Sequence, residues 1–482
     1  MRTSSFTASV LAALYVVECA ALLCAMIAYK NGDQPVLSLF VGRYGSVFDA
    51  AALGALAAGA YLVWRYRRAR RGETRQFWLA LAMNAVTVFA LLVLGETAVR
   101  LFSTRAPSGI SVLGFPLLPR SWEDAAARNR EFLRTAPTNI SYFVPDDLLG
   151  WTIGPSRQSR NGLYSSSIEG IRSARPGVAY AAASGPLRRV ALVGDSFTFG
   201  LEVPFEESWA YRLQQELGAG VQILNFGVDG YGVDQAYLRY RRDVRPWRPD
   251  LVVFGFINHD LYRSMAVYSF VSFPEWEFPF GKPRFVLNAG KLNLFNTPVL
   301  TPQEIVTRRS IAELPFIELD RGYEPSDWQW HPYYHSQLAR FLLSRFRRWP
   351  EPRGEVSDRV MQAVNTELLA SFASLAREQN STPLIVYFPS RGDYSGQDRR
   401  AKDPVLAALR ERNIEYQNLT SCLGEVGVSH LFIENRPHYS PQGNAAVAKC
   451  LVPAVRARLG DPAASPGRPA AGRGPAPPRR SG

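Results

Sequence analysis

Cysteine and histidine are scarce in this chain, four and five among 482 residues, and no Cys/His spacing suits a zinc site. His331 and His335 are four apart, but Pro332 lies between them and no companion carboxylate motif accompanies them, so neither a metal nor any other cofactor is expected. RNA- and DNA-binding motifs are also missing, although the formal charge is +13. Six arginines against one glutamate between residues 65 and 75, and four arginines against one aspartate after residue 460, hold most of that excess. The first cluster reads as a membrane-topology signal. The second belongs to a tail, 460–482, rich in Pro, Ala, Gly and Arg and expected to be disordered. No nucleic-acid partner is expected.

What the chain has in quantity is apolar sequence, 47% of its residues, enough for a large core. Residues 1–100 hold three runs near bilayer-crossing length, about 6–29, 47–64 and 77–95, which predict a membrane anchor of three transmembrane helices. Arg65, Arg67, Arg68, Arg70, Arg71 and Arg75 lie between the second and third runs, so that loop should be cytoplasmic and everything after the third run extracytoplasmic. A cleaved signal peptide is the rival for the first run, but Glu18 interrupts it and it outlasts a usual signal core. Glu18 and Asp49 are carboxylates within the runs, while Glu96 and Arg100 are spaced for a helical ion pair at the headgroups.

Four blocks farther along carry chemistry. Gly194-Asp-Ser-Phe-Thr-Phe-Gly200 follows the apolar run Val190–Val193 directly, placing Ser196 where a buried strand turns into a helix start whose N–H groups can stabilise negative charge. Val221-Gln-Ile-Leu-Asn225 runs into the glycine-rich turn Gly227-Val-Asp-Gly230. The strand Asp250–Ile257 ends in Asn258. Finally, Pro437-His438 stands just ahead of a helical run, 445–459. Nucleophile, backbone donor, amide donor and general base are what acyl transfer requires.

In these blocks, and over roughly residues 145–459, the chain resembles the SGNH/GDSL hydrolase family. The resemblance implies Ser196 as nucleophile and first oxyanion donor, Gly230 as the second donor with Gly227 competing, Asn258 as the third, and His438 as base. Asp146–Thr152 through Gly170-Ile-Arg172 resembles the lead-in segment of membrane-linked members. Two departures stand out: Phe256 and His259 flank the asparagine where the family has Gly-x-Asn-Asp, and the acid expected two or three residues before His438 is replaced by Arg436 and Asn435. The expected arrangement is a Ser-His dyad whose ring is oriented by Asn435 or a backbone carbonyl, with Glu434 as the possible orienting acid if the loop is bulged.

Alternating strand and helix patterns at 189–194, 206–218, 221–226, 233–243 and 250–257, resuming at 357–379, 383–388, 403–412, 415–419 and 445–459, predict a parallel sheet with helices on both faces. The resemblance makes this a flavodoxin-like three-layer α/β/α sandwich. The expected organisation is anchor 1–100, extracytoplasmic lead-in 101–187, and catalytic domain 188–459 interrupted by an insertion, 261–350, that builds a lid or substrate subdomain. The insertion is rich in aromatics, Phe273, Trp276, Phe278 and Phe280, then Trp328, Trp330, Tyr333 and Tyr334, which form either its own core or a platform for sugar rings. Cys422 and Cys450 fall on sequential elements that pack together, so they form a disulfide or two buried thiols.

The expected activity is serine-dependent ester hydrolysis at the bacterial inner membrane, with the catalytic domain in the periplasm. The resemblance implies an acylated, O-acetylated envelope glycan as substrate, then lipid or small esters. Alternatives are an O-acyltransferase working with polysaccharide-export or acyl-transfer machinery, and an inactive glycan-binding membrane component.

Overall fold

Val190-Ala-Leu-Val193 carries no polar side chain, and in the computed structural model of the protein it lies in an interior strand of a sheet, fully buried. The structure describes residues 57, 59–61, 64 and 71–460, apart from 107–108, 114, 136–140, 181–186, 275–277, 346–353 and 396–400. Five parallel strands, β1 (Arg188–Val193), β2 (Val221–Asn225), β3 (Leu251–Phe256), β4 (Thr382–Tyr387) and β5 (Tyr416–Asn418), pair in the order β5-β4-β3-β1-β2. Leu251 lies opposite Val190 on one side and Thr382 on the other. From the opposite edge this is the order 2-1-3-4-5, the flavodoxin-like winding. The chain moves outward from β1 to β2, then back across to β3. Loops leaving β1 and β3 therefore part from each other, and the crevice between them is where such sheets bind ligands.

Helices α1 (Ser196–Phe199), α2 (Trp209–Leu217), α3 (Val233–Arg239), α4 (Asn258–Arg263), α5 (Asp358–Glu378), α6 (Lys402–Glu411) and α7 (Pro441–Leu459) occupy the connections. The period of two along each strand sends side chains to both faces. Val190, Leu192, Leu251, Val253, Leu384 and Val386 pack with Trp209 and Leu213 of α2 and Val447 and Leu451 of α7. On the opposite face Phe254 meets Phe372 of α5 at 4.8 Å between ring centroids. Each such large side chain contributes about 1.5–3 kcal/mol on burial. Strand and helix positions fall close to those expected from the sequence. The final helix differs: it begins at Pro441, because Ser440 Oγ accepts the Gly443 N–H and caps it there. His438 consequently sits in the turn ahead of the helix.

Cys422, after β5, and Cys450, on α7, are joined in a disulfide with Cα atoms 6.2 Å apart. The bond closes a loop with a sequence separation of 28 residues. Cys450→Ser is expected to lower stability by about 3–4 kcal/mol through the loop-closure entropy it releases in the unfolded chain. The urea midpoint of the variant measures this, and an unchanged midpoint would mean that the thiols are not joined.

The sheet belongs to one of two compact units, drawn from Ala136–Ala266, Phe280–Thr301 and Asp358–Gly482; the other takes Met1–Thr135, Val267–Pro279 and Pro302–Ser357. Residues of the 101–187 lead-in and the 261–350 insertion are thus divided between the two. A hairpin, Arg284–Asn288 with Lys291–Phe295, belongs to the sheet unit, fastened beside it by a buried ion pair from Lys282 Nζ to Asp234 Oδ2.

In the other unit a helix runs Arg71–Phe102, and its segment Leu81–Phe102 is long and apolar enough to cross a membrane, with 6% of its apolar window buried. The expected span at 77–95 falls on this helix, which continues farther at both ends. The expected span 6–29 lies outside the described residues, as does nearly all of 47–64, including Asp49. Glu96 pairs with Arg100 at 2.6 Å as the spacing predicts. It also accepts from Ser336 Oγ at 2.8 Å, Gln337 N at 2.9 Å and Leu338 N at 2.8 Å, capping the helix Gln337–Arg345. A helix start leaves N–H groups without intrahelical acceptors, and here a carboxylate from a distant part of the chain supplies them.

Candidate active site

The carboxyl end of β1 delivers Ser196, the nucleophile expected from the sequence. Gly194, with φ +153°, lies where an added Cβ would meet Thr198 Oγ1 and the Gly255 carbonyl oxygen, so α1 packs directly on the sheet. Asp195 caps this short helix, its Oδ1 accepting from Phe197 N at 2.9 Å and Thr198 N at 3.4 Å. The Ser196 N–H has no hydrogen bond among the described residues. Ser196 is only 1% exposed.

His438 arrives from the turn between Phe432 and Tyr439, which are bridged antiparallel, with Ile433 N donating to the His438 carbonyl at 3.0 Å. Arg391 fastens the turn through the carbonyls of Ile433 at 2.7 Å and Arg436 at 3.1 Å. The imidazole Nε2 lies 2.9 Å from Ser196 Oγ, and Phe197 packs against the ring at 5.2 Å between centroids.

The other ring nitrogen settles what orients the base. His438 Nδ1 lies 3.0 Å from Glu202 Oε2. A carboxylate only accepts, so Nδ1 carries the proton and Nε2 is left free to take one from Ser196. Neither Asn435 nor Glu434 fills this role: both are exposed in the turn, and Asn435, with φ +55°, serves its reversal. Where a dyad was expected, the geometry is that of a hydrogen-bonded chain, Ser196-His438-Glu202, whose carboxylate comes from the segment just after Ser196. Arg436, at a position where the family carries the acid, instead reaches Glu202 Oε1 at 3.7 Å. Burial pushes the Glu202 carboxyl up, but its hydrogen bond to His438 and the charges of His438 and Arg436 outweigh this and hold it below the usual glutamate range. Glu202 therefore stays ionised at a pH where an ordinary glutamate is half protonated. At a pH of about 4.3, where an ordinary glutamate is half protonated, the carboxyl carbon-13 shift of Glu202 should still be that of a carboxylate; a half-protonated shift there would mean the acid is not held low.

The two further donors expected from the sequence follow the two strands that flank β1. Asn258 follows β3, is 6% exposed, and its Oδ1 accepts from Lys402 N at 3.0 Å, which fixes the flip of the amide and leaves the NH2 as the free end. Gly230 lies in the turn after β2 with φ +81°, where an added Cβ would stand 3.3 Å from the Trp151 ring. Burial raises the neighbouring Asp229 carboxyl, and the Gly230 N–H offsets part of that rise. Gly227 is walled in under α1, where a Cβ would come within 2.5 Å of Phe199 N, and its N–H donates to Asn225 Oδ1 at 2.9 Å. That bond removes Gly227 from the competition. Beneath the site Arg263 joins Asp260 at 2.7 Å and Asp195 at 3.4 Å, and burial raises both carboxyls.

The aromatics of the insertion divide. Phe278, Phe280 and Tyr334 are buried, whereas Trp330 is 57% exposed. Trp330 and Tyr334 line, with Arg105, Arg120 and Arg340, a recess of about 260 Å³ in the unit that does not contain Ser196. Trp276 lies outside the described residues. His331 stacks on Tyr333, and among the described residues no cluster of His, Cys, Asp or Glu is placed to hold a metal ion.

No protein-family model matches the chain, and no curated protein matches it. Among solved structures it is similar to TesA, at 14% identity over 56% of this chain and 100% of that one with a TM-score of 0.33. It is also similar to the lipase/acylhydrolase from Enterococcus faecalis, at 11% identity over 56% and 97% with a TM-score of 0.32. A catalytic mutant of an acetylxylan esterase from Geobacillus stearothermophilus aligns at 13% identity over 57% and 96%, with a TM-score of 0.31. Likeness at this distance assigns no activity, and the chemistry rests on the residues around Ser196.

Proposed function

We propose that this protein is a serine ester hydrolase of the SGNH/GDSL type. The observation that carries the reading is the pair of hydrogen bonds through one imidazole, 2.9 Å to Ser196 Oγ and 3.0 Å to Glu202, at the carboxyl end of β1 in a 2-1-3-4-5 sheet. Ser196 Oγ attacks the ester carbonyl carbon while His438 Nε2 takes its proton, and Glu202 stabilises the imidazolium that results. The Ser196 N–H, the Asn258 amide and the Gly230 N–H receive the oxyanion. The imidazolium returns its proton to the leaving alcohol. Water, deprotonated by His438, then attacks the acyl carbon, and the imidazolium returns that proton to Ser196 Oγ as the C–Oγ bond breaks and the acid leaves. An O-acyltransferase differs only in using a sugar hydroxyl as this second acceptor. A complete triad speaks against the inactive binding component.

The substrate we propose is an O-acetylated envelope glycan, met outside the cytoplasmic membrane. The arginine cluster ahead of Leu81–Phe102 and the Cys422–Cys450 disulfide, suited to an oxidising compartment, support that location. A periplasm-active reporter fused after residue 105 should be active and one fused at residue 72 silent; the reverse would put Ser196 in the cytoplasm and the glycan out of reach. The activity itself is tested by acetate release from O-acetylated polysaccharide. Release should require Ser196, and release by Ser196→Ala at the intact rate would end the proposal.

A further inference from the structure

We propose that Arg172 and Tyr164, in the lead-in to the sheet, are positioning residues that hold the triad's acid in place. The inference rests on the Ser196-His438-Glu202 reading and extends it to a segment before the first strand. Glu202 sits at φ +68°, in the left-handed region that side-chain-bearing residues avoid, and it follows Gly200 at φ +75°. A backbone bent this way persists where its surroundings over-determine it.

The surroundings are specific. The Arg172 guanidinium, 1% exposed, donates through Nη1 to the carbonyls of Phe199 and Gly200 and through Nη2 to that of Val203 at 2.7 Å. These carbonyls bracket Glu202 on both sides. Tyr164 Oη accepts the Glu202 N–H itself at 2.9 Å. The guanidinium lies over the Phe199 ring at 4.3 Å and the Tyr164 ring at 5.5 Å, binding the two clamps together. Burial lowers Arg172 only to about 10, so it is charged at neutral pH, and burial raises the Tyr164 phenol to about 12, so it is neutral. An arginine taken out of water to meet backbone carbonyls is costly to keep for packing alone. Fixing the direction in which Glu202 faces His438 gives it a purpose.

Hydrolysis of p-nitrophenyl acetate by the full chain separates the outcomes, using Tyr164→Phe, Arg172→Lys and Glu202→Gln alone and combined. Tyr164→Phe, which removes one acceptor oxygen and keeps the ring, is expected to lower kcat about tenfold with KM unchanged. Arg172→Lys, which retains charge but reaches fewer carbonyls, should lower it about a hundredfold. Adding Glu202→Gln to either should cost about as many fold less as the clamp variant has already lost, because both act through one carboxylate. Full additivity, at unchanged melting temperature, would overturn the clamp and leave the triad standing. A harmless Glu202→Gln would overturn the triad and the clamp together.

Discussion

Glu202→Gln is expected to lower kcat by about 10³–10⁴-fold, while Glu434→Gln and Asn435→Ala change it by no more than about threefold. The glutamine fills the same space and can still bond to His438 Nδ1, 3.0 Å from the glutamate it replaces. It no longer compels Nδ1 to carry the proton, so the ring can present N–H to Ser196, which is the wrong tautomer for a base. It also removes the negative charge that stabilises the imidazolium. Glu434 and Asn435 are exposed, and their side chains meet neither end of that imidazole in the described hydrogen bonds. Steady-state kinetics on a small acetyl ester measures all three variants. A loss with Glu434→Gln as large as with Glu202→Gln would return the acid to the histidine's own turn.

Ser196→Ala and His438→Ala should each lower kcat by about 10⁶-fold, and the double variant should lose no more than either alone. The reason is that nucleophile and base perform one step: without the Oγ there is no proton for Nε2 to take, and without Nε2 the hydroxyl stays protonated. Residual hydrolysis then comes from water attacking the bound ester while the oxyanion donors stabilise the charge that develops. Losses that multiply in the double variant would show the two residues working in separate steps.

The sheet was legible because buried parallel strands have a plain signature. Val190–Val193, Leu251–Phe256 and Leu384–Tyr387 are nearly continuous apolar runs, and each is followed by a residue type that turns the chain. Ser196, Asn258 and His438 were legible for the same reason, standing at strand ends or just before a helix. Glu202 had no such marker. It lies in an irregular turn with no periodicity, 236 positions from the histidine it serves, and nothing local distinguishes it from Glu206 or Glu207. The one available signal was indirect: Arg436 stands where an acid was expected, and a cation beside a catalytic base implies a carboxylate arriving from elsewhere to balance it. The grouping of Val267–Pro279 and Pro302–Ser357 with the first 135 residues was equally hidden, since it depends on long-range packing such as the Glu96 cap on Gln337–Arg345.

The central claim is that Ser196 is a nucleophile activated by His438 and Glu202, and covalent capture tests it most directly. Intact protein treated with a fluorophosphonate should gain one phosphonyl adduct, located by mass spectrometry on the peptide containing Ser196; Ser196→Ala should gain none, and Glu202→Gln should react far more slowly than Glu434→Gln. No adduct on the intact protein, or one that forms equally fast in Ser196→Ala, would contradict the account.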